Sequence, residues 1–137
     1  MSKNSEKEDS DVIRVDIPVS IFCDRSLSIF EVLVEYLKEK GYSNKKIGEL
    51  TNRSNRKIWT VFDRVKKKRK KIPKAPLVIS DYTLPLNILL DRRMAVLEVI
   101  VAYLKEHRSL SYHDIGIMLN RDERTIWTVY NRSLKKR

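Results

Sequence analysis

The chain of 137 residues has the length of one ordinary domain or two very small ones, and the modest core it can bury favours a binding module over an enzyme. Its 29 Lys and Arg outnumber 18 Asp and Glu, and the formal net charge of +11 suits a polyanion, nucleic acid before an anionic membrane. No apolar run approaches the roughly 18 residues of a bilayer span, and residues 1–11 lack the apolar stretch of a signal peptide, so we expect a cytoplasmic protein.

The sequence contains an internal duplication. Residues 17–39 align with residues 84–106 at a constant offset, and after a one-residue shift residues 43–69 align with residues 111–137. About half of the positions in the second stretch are identical, including the run Ile-Trp-Thr-Val. Each copy should therefore adopt the same local structure.

Each copy opens with an extended segment and a first helix. Residues 12–17 and 77–84 are rich in β-branched residues and end at Pro18 and Pro85, so they are either short strands that pair with each other or extended arms. Ser28 stands three residues before a glutamate, which is the spacing of a capping box, and apolar residues follow at helical intervals. Helix one should then end near Gly41, and its counterpart should cover about residues 93–107.

Two shorter elements complete each copy. Ser43 and Ser111 are N-cap candidates for a second helix of barely two turns, which contains Gly48 or Gly116. A glycine inside a helix costs about 1 kcal/mol relative to alanine, so its presence in both copies indicates close packing against a third helix. Asn-Arg pairs form the turn, and the third helix follows Ser54 or Asp122 as its cap.

These elements predict an all-α fold of two tandem three-helix helix-turn-helix units, each preceded by a short β segment. A cluster of Lys and Arg followed by Pro73 and Pro76 predicts an extended linker between the units. The predicted boundaries are a flexible tail at residues 1–11, a first unit at 12–71, a linker at 72–78 and a second unit at 79–137.

The second helix, the turn and the start of the third helix carry a family resemblance. Residues 111–126, Ser-Tyr-His-Asp-Ile-Gly-Ile-Met-Leu-Asn-Arg-Asp-Glu-Arg-Thr-Ile, resemble the helix-turn-helix of bacterial sigma-factor region four and of LuxR-type regulators. They also resemble small prokaryotic, archaeal proteins with tandem units of this type. The resemblance implies that the third helix enters the major groove of DNA.

Helical phase separates a buried face of each third helix from an exposed one. The predicted buried stripes are Ile58, Val61, Phe62 and Val65, and Ile126, Val129, Tyr130 and Ser133. Arginine near the start of such a helix can bind guanine bidentately, and threonine can contact a base or the thymine methyl group. The base-contacting candidates are Arg56, Lys57, Thr60, Arg124, Thr125 and Thr128.

A second set of polar residues is placed to contact phosphates, which position a protein on DNA without specifying sequence. These candidates are Ser43, Arg53, Arg64, Lys67, Lys68, Ser111, Arg121, Arg132, Lys135 and Lys136.

Trp59, Trp127 and the single cysteine, Cys23, need separate interpretations. Each tryptophan falls at the boundary of the buried stripe, where partial burial is the commoner outcome and a contact with the other repeat, a protein partner or DNA is the alternative. Cys23 aligns with Leu90, which favours an apolar filler over a nucleophile. One cysteine excludes an intramolecular disulfide and favours a reducing compartment.

The remaining polar residues indicate no chemistry. His107 and His113 have no Cys or His partner at ligand spacing, so we expect exposed histidines and no metal site. Asp24 and Asp91 should cap or stabilise the start of helix one. No nucleophile motif, phosphate loop or paired carboxylates occur, so we expect no enzyme activity, no cofactor and no small-molecule ligand.

Three functions compete. The leading hypothesis is a transcriptional regulator that binds double-stranded DNA through the third helix of each repeat and is associated with the nucleoid in the cytoplasm. The second is an architectural nucleoid protein that binds through phosphates with little sequence preference. The third is an adaptor that binds RNA polymerase or a second copy of itself through the tryptophans.

Overall fold

The computed structural model describes residues 14–75 and 82–137, and each repeat contributes five elements. The first repeat comprises strand β1 (Asp16–Pro18), the 3-10 helix η1 (Val19–Cys23), and helices α1 (Ile29–Glu39), α2 (Asn44–Thr51) and α3 (Asn55–Arg69). The second comprises β2 (Thr83–Pro85), η2 (Leu86–Leu90), α4 (Val96–His107), α5 (Tyr112–Leu119) and α6 (Glu123–Lys136). The predicted fold class, mainly α-helical with short β segments, is confirmed.

The boundaries differ from the prediction in two places. Helix α4 begins at Val96 rather than near Arg93, because residues 92–94 form a turn and bend. The strands cover only Asp16–Pro18 and Thr83–Pro85, so each proline is the last residue of its strand. The tail at 1–11, the first residues of both predicted strand segments and linker residues 76–78 lie outside the described residues.

The two strands pair with each other across the repeats, which confirms the strand alternative. They are antiparallel, and Ile17 pairs with Leu84, its own counterpart in the second repeat. Beyond the strands, the Val19 amide donates to the Tyr82 carbonyl at 3.0 Å and the Leu86 amide donates to the Val15 carbonyl at 2.8 Å. Equivalent residues exchange equivalent bonds, so a local two-fold axis relates the repeats.

Each repeat also packs its 3-10 helix against the second helix of the other repeat, η1 on α5 and η2 on α2. The turn asparagines fix this arrangement: the Asn52 side-chain amide donates to the Leu90 carbonyl at 2.9 Å, and that of Asn120 donates to the Cys23 carbonyl at 3.1 Å. One continuous apolar cluster includes buried residues from both repeats. The repeats are therefore intertwined around a shared core.

Local signals determine where the helices begin and end. The predicted capping box is present at α1, where the Ser28 hydroxyl accepts from the Glu31 amide and the Glu31 carboxylate accepts from the Ser28 amide. Gly41, at φ 95°, ends the helix in a conformation that glycine adopts without strain. Asp24 and Asp91 do not cap helix one. Instead they bind the turns before it, accepting from the amides two residues later.

Close packing at the turn explains the glycine in each second helix. A Cβ atom on Gly48 would lie 2.5 Å from the carbonyl oxygen of Arg53, and one on Gly116 would lie 2.6 Å from that of Arg121. These carbonyls belong to the turn that starts the third helix, so the small residue brings the second and third helices together. The turn asparagine at the end of α2, Asn52, has the left-handed φ of 58° that lets the chain reverse there.

Candidate nucleic-acid interface

The third helix of each repeat, α3 or α6, presents one buried face and one exposed face. Ile58, Val61 and Val65 are buried as predicted, while Phe62 is half-buried at the edge of the stripe. In α6 the residues Ile126, Val129 and Ser133 are buried and Tyr130 is half-buried. All six base-contacting candidates are exposed on the remaining surface: Arg56, Lys57, Thr60, Arg124, Thr125 and Thr128.

The cations among these candidates have no partner in the described part of the chain. Among the described residues, the side chains of Arg56, Lys57 and Arg124 make no hydrogen bond and no ion pair. The hydroxyls of Thr60 and Thr128 donate to the backbone carbonyls four residues earlier, both at 3.0 Å, and so retain acceptor lone pairs and an exposed methyl group. These surfaces can bind an anion or a base edge without first breaking an internal ion pair.

Most phosphate-contacting candidates on the third helices are instead paired with carboxylates. In α3, Lys68 Nζ lies 2.7 Å from Glu31 Oε1 and Arg64 Nε lies 3.4 Å from Glu31 Oε2, while Lys67 pairs with Asp63 at 3.1 Å. In α6, Lys136 and Arg132 approach Glu98 at 2.9 and 4.0 Å. Lys135 is exposed and unpaired among the described residues.

The ion pairs of these cations with two buried glutamates were not predicted from the sequence. Glu31 and Glu98 are buried in the first turns of α1 and α4. Burial alone would raise the pKa of each, but hydrogen bonds from Lys68 or Lys136 and from the backbone outweigh it, so the pKa of each glutamate is lowered. The available signal was the duplication itself, because the glutamates and the lysines are identical in both repeats.

Arg53 and Arg121 are anchored at the turns rather than extended into solvent. Arg53 Nη1 donates to the Leu89 carbonyl at 3.1 Å and the guanidinium lies 5.0 Å from the ring centre of Phe30. Arg121 donates to the Leu119 carbonyl at 2.8 Å. Burial lowers the pKa of both arginines, which remain cationic. Because Nη1 of each arginine holds the turn, the predicted phosphate contact would use the other N–H groups of the guanidinium.

Ser43 and Ser111 cap the second helices, as predicted. The Ser43 hydroxyl accepts from the Lys46 amide at 3.1 Å, and the Ser111 hydroxyl accepts from the Asp114 amide at 3.0 Å. Their predicted phosphate contacts would have to coexist with these caps.

Trp59 and Trp127 are more exposed than the sequence led us to expect of packing residues. Trp59 is 60% exposed and Trp127 is 52% exposed. Cys23 is half-buried and its thiol donates to the Met118 carbonyl at 2.7 Å, so it contacts the other repeat. Burial raises the pKa of the Cys23 thiol, which disfavours the reactive thiolate.

The described residues contain no group of three His, Cys, Asp or Glu placed to hold a metal ion. His107 stacks on Tyr103, with ring centres 4.9 Å apart, and His113 lies 3.4 Å from Glu123 on the exposed surface.

None of the helices in residues 14–75 and 82–137 combines the length and apolar character that crossing a bilayer requires.

No protein family, characterised protein or solved structure matches the chain. A function can therefore be inferred only from the surface of α3 and α6 and from the symmetry that relates them.

Proposed function

We propose that the protein binds double-stranded DNA as an intramolecular pseudo-dimer and acts as a transcriptional regulator in the cytoplasm, on the nucleoid. The observation that carries the proposal is the pair of exposed faces on α3 and α6, where Arg56, Lys57 and Arg124 have no partner in the described residues. An α-helix fits the major groove of B-DNA, and a helix with one exposed face can present its side chains to the base edges there.

The local two-fold axis supports an inverted arrangement of half-sites over a direct one. The axis passes between Ile17 and Leu84, so it turns α3 of one repeat into α6 of the other. Two-fold-related recognition helices bind half-sites whose centres lie about one helical turn apart. We therefore expect a pseudo-palindrome with centres separated by about 10 base pairs.

The two half-sites should be similar but not identical. Arg56 and Arg124 align, as do Thr60 and Thr128, which favours one shared base preference. At the next position the first repeat has Lys57 where the second has Thr125, so this base preference should differ. The exposed Lys135 and the paired lysines nearby would supply phosphate contacts. The paired lysines would do so by leaving their carboxylate partner and binding a phosphate instead.

Selection from a random duplex pool, at about 50 and 200 mM salt, tests the proposal. Enrichment of an inverted repeat supports it, and Arg56→Ala and Arg124→Ala should then each relax the preference in a different half. Binding that falls steeply with salt and enriches no motif would favour the architectural alternative. Absence of binding at the lower salt concentration would reject DNA as the partner.

A specific observation keeps the adaptor as the second candidate: both tryptophans are largely exposed, and exposed tryptophan is enriched in the hot spots of protein interfaces. Trp59→Ala and Trp127→Ala distinguish the two functions. Loss of self-association or of RNA polymerase binding with DNA affinity retained favours the adaptor, whereas loss of DNA affinity with the fold retained places the tryptophans on the DNA.

A further inference from the structure

The intertwined repeats bring a loop of the second repeat against the turn of the first. The side chains of Asn52 and Arg53, in the turn between α2 and α3, donate to the carbonyls of Leu90 and Leu89 at 2.9 and 3.1 Å. These bonds hold the start of the following loop, which contains Arg92, beside the turn. A surface groove there is lined by Arg53, Arg92 and Lys45.

The cations of this groove lie close together with little acidic compensation. Arg53 and Arg92 line the same groove, and the charge of Arg92 adds to burial in lowering the pKa of Arg53. Arg92 is exposed and its side chain has no partner in the described residues. The one carboxylate lining the groove, Glu49, also lies 3.7 Å from Lys46 on its own helix.

The equivalent groove at the turn of the second repeat differs in charge. Arg25 is the counterpart of Arg92, and its Nη1 donates to the Asn120 carbonyl at 3.5 Å beside Arg121. Asp122 and Glu123 line the same groove, at positions where the first repeat has a serine and an asparagine. Two carboxylates thus offset two arginines, whereas three cations face one carboxylate in the first groove.

We propose that a DNA backbone phosphate binds in the first groove between Arg92, Arg53 and Lys45, so that the second repeat completes the phosphate contact of the first. In the second groove the carboxylates of Asp122 and Glu123 offset the two arginines, so a phosphate binds there less tightly. This inference rests on the proposed function. It makes the first repeat the electrostatic anchor on DNA, although both recognition helices bind their own half-sites.

Arg92→Ala and Arg25→Ala form a matched pair that tests the inference. Each neutralised phosphate makes the slope of log affinity against log salt more negative by about 0.9. Arg92→Ala should make this slope less negative by about 0.9, so the loss of affinity between 50 and 200 mM salt should be roughly 3-fold smaller than in wild type. Arg25→Ala should leave the slope unchanged. Base preference should be the same in both variants because phosphates do not specify sequence. Unchanged circular dichroism and thermal unfolding serve as the folding control.

A gain-of-function variant tests the asymmetry from the other side. Asp122→Ser with Glu123→Asn copies the first repeat into the second groove and should make the salt slope more negative by about 0.9. Equal slopes for wild type and Arg92→Ala, with wild type bound to DNA, would overturn the inference while leaving the proposed function intact. Equal losses in Arg92→Ala and Arg25→Ala would overturn the asymmetry. If wild type binds no DNA at low salt, the proposed function and the inference both fail.

Discussion

Gly116 offers the sharpest test of the turn geometry. It lies inside a helix, where alanine is favoured over glycine by about 1 kcal/mol, so Gly116→Ala would stabilise the protein if space allowed. The added Cβ would lie 2.6 Å from the carbonyl oxygen of Arg121, and a backbone atom in a tight turn yields little. Overpacking of this kind costs about 1–3 kcal/mol. With a cost near the upper end, the net destabilisation is about 1–2 kcal/mol.

Urea denaturation followed by circular dichroism measures this free energy of unfolding. Ile117→Ala is the matched control, because Ile117 neighbours the glycine but is 64% exposed, and its change should stay within about 0.5 kcal/mol. Gly48→Ala should behave like Gly116→Ala, since its Cβ would lie 2.5 Å from the equivalent carbonyl. An increase in stability in both glycine variants would refute the close approach of the second and third helices.

Three further predictions concern the buried glutamate, the turn and the tryptophans. Hydrogen bonds hold the pKa of Glu98 in the folded protein below its value in the unfolded chain. The ionised carboxylate therefore stabilises the fold at pH values above the unfolded pKa, and this stabilisation is lost as the pH falls through the folded pKa. Denaturation across pH 2–7 should show Glu98→Gln about 1–2 kcal/mol less stable at neutral pH and converging on wild type in acid. Asn120→Ala should lose about 1–2 kcal/mol more than Asn120→Gly in the same assay, because the alanine Cβ is strained at the left-handed φ of 56° and glycine is not. Trp59→Phe and Trp127→Phe should each change the free energy of unfolding by less than about 0.5 kcal/mol. In each variant the fluorescence emission of the remaining tryptophan should be that of an exposed indole, and a blue-shifted emission would show burial instead.

Local features of the fold could be predicted from the sequence because they depend on neighbouring residues. The capping box at Ser28, the stop at Gly41 and the buried stripe beginning at Ile58 follow from spacing, and all three are present. The exposure of Trp59 was not predicted, because helical phase alone does not say how far a neighbouring element extends over a boundary position.

The contacts between the repeats lie beyond what the sequence determines. The sequence shows that the segments forming η1 and α5 contain apolar residues, but not that the two elements pack against each other across the pseudo-dimer. The same limit hid the role of Arg53, which donates to a carbonyl of the other repeat, and the ion pairs of Glu31 with the end of α3. Residues far apart in the chain become partners only once the topology is known.

Fluorescence anisotropy at one salt concentration gives the affinity for three duplexes built from the selected site. The first retains both half-sites, the second reverses one of them, and the third inserts about half a helical turn between them. We expect tight binding to the first and a loss of at least about 10-fold for the other two, since one recognition helix can no longer reach its bases. Equal affinity for all three would contradict two-fold-related recognition by α3 and α6.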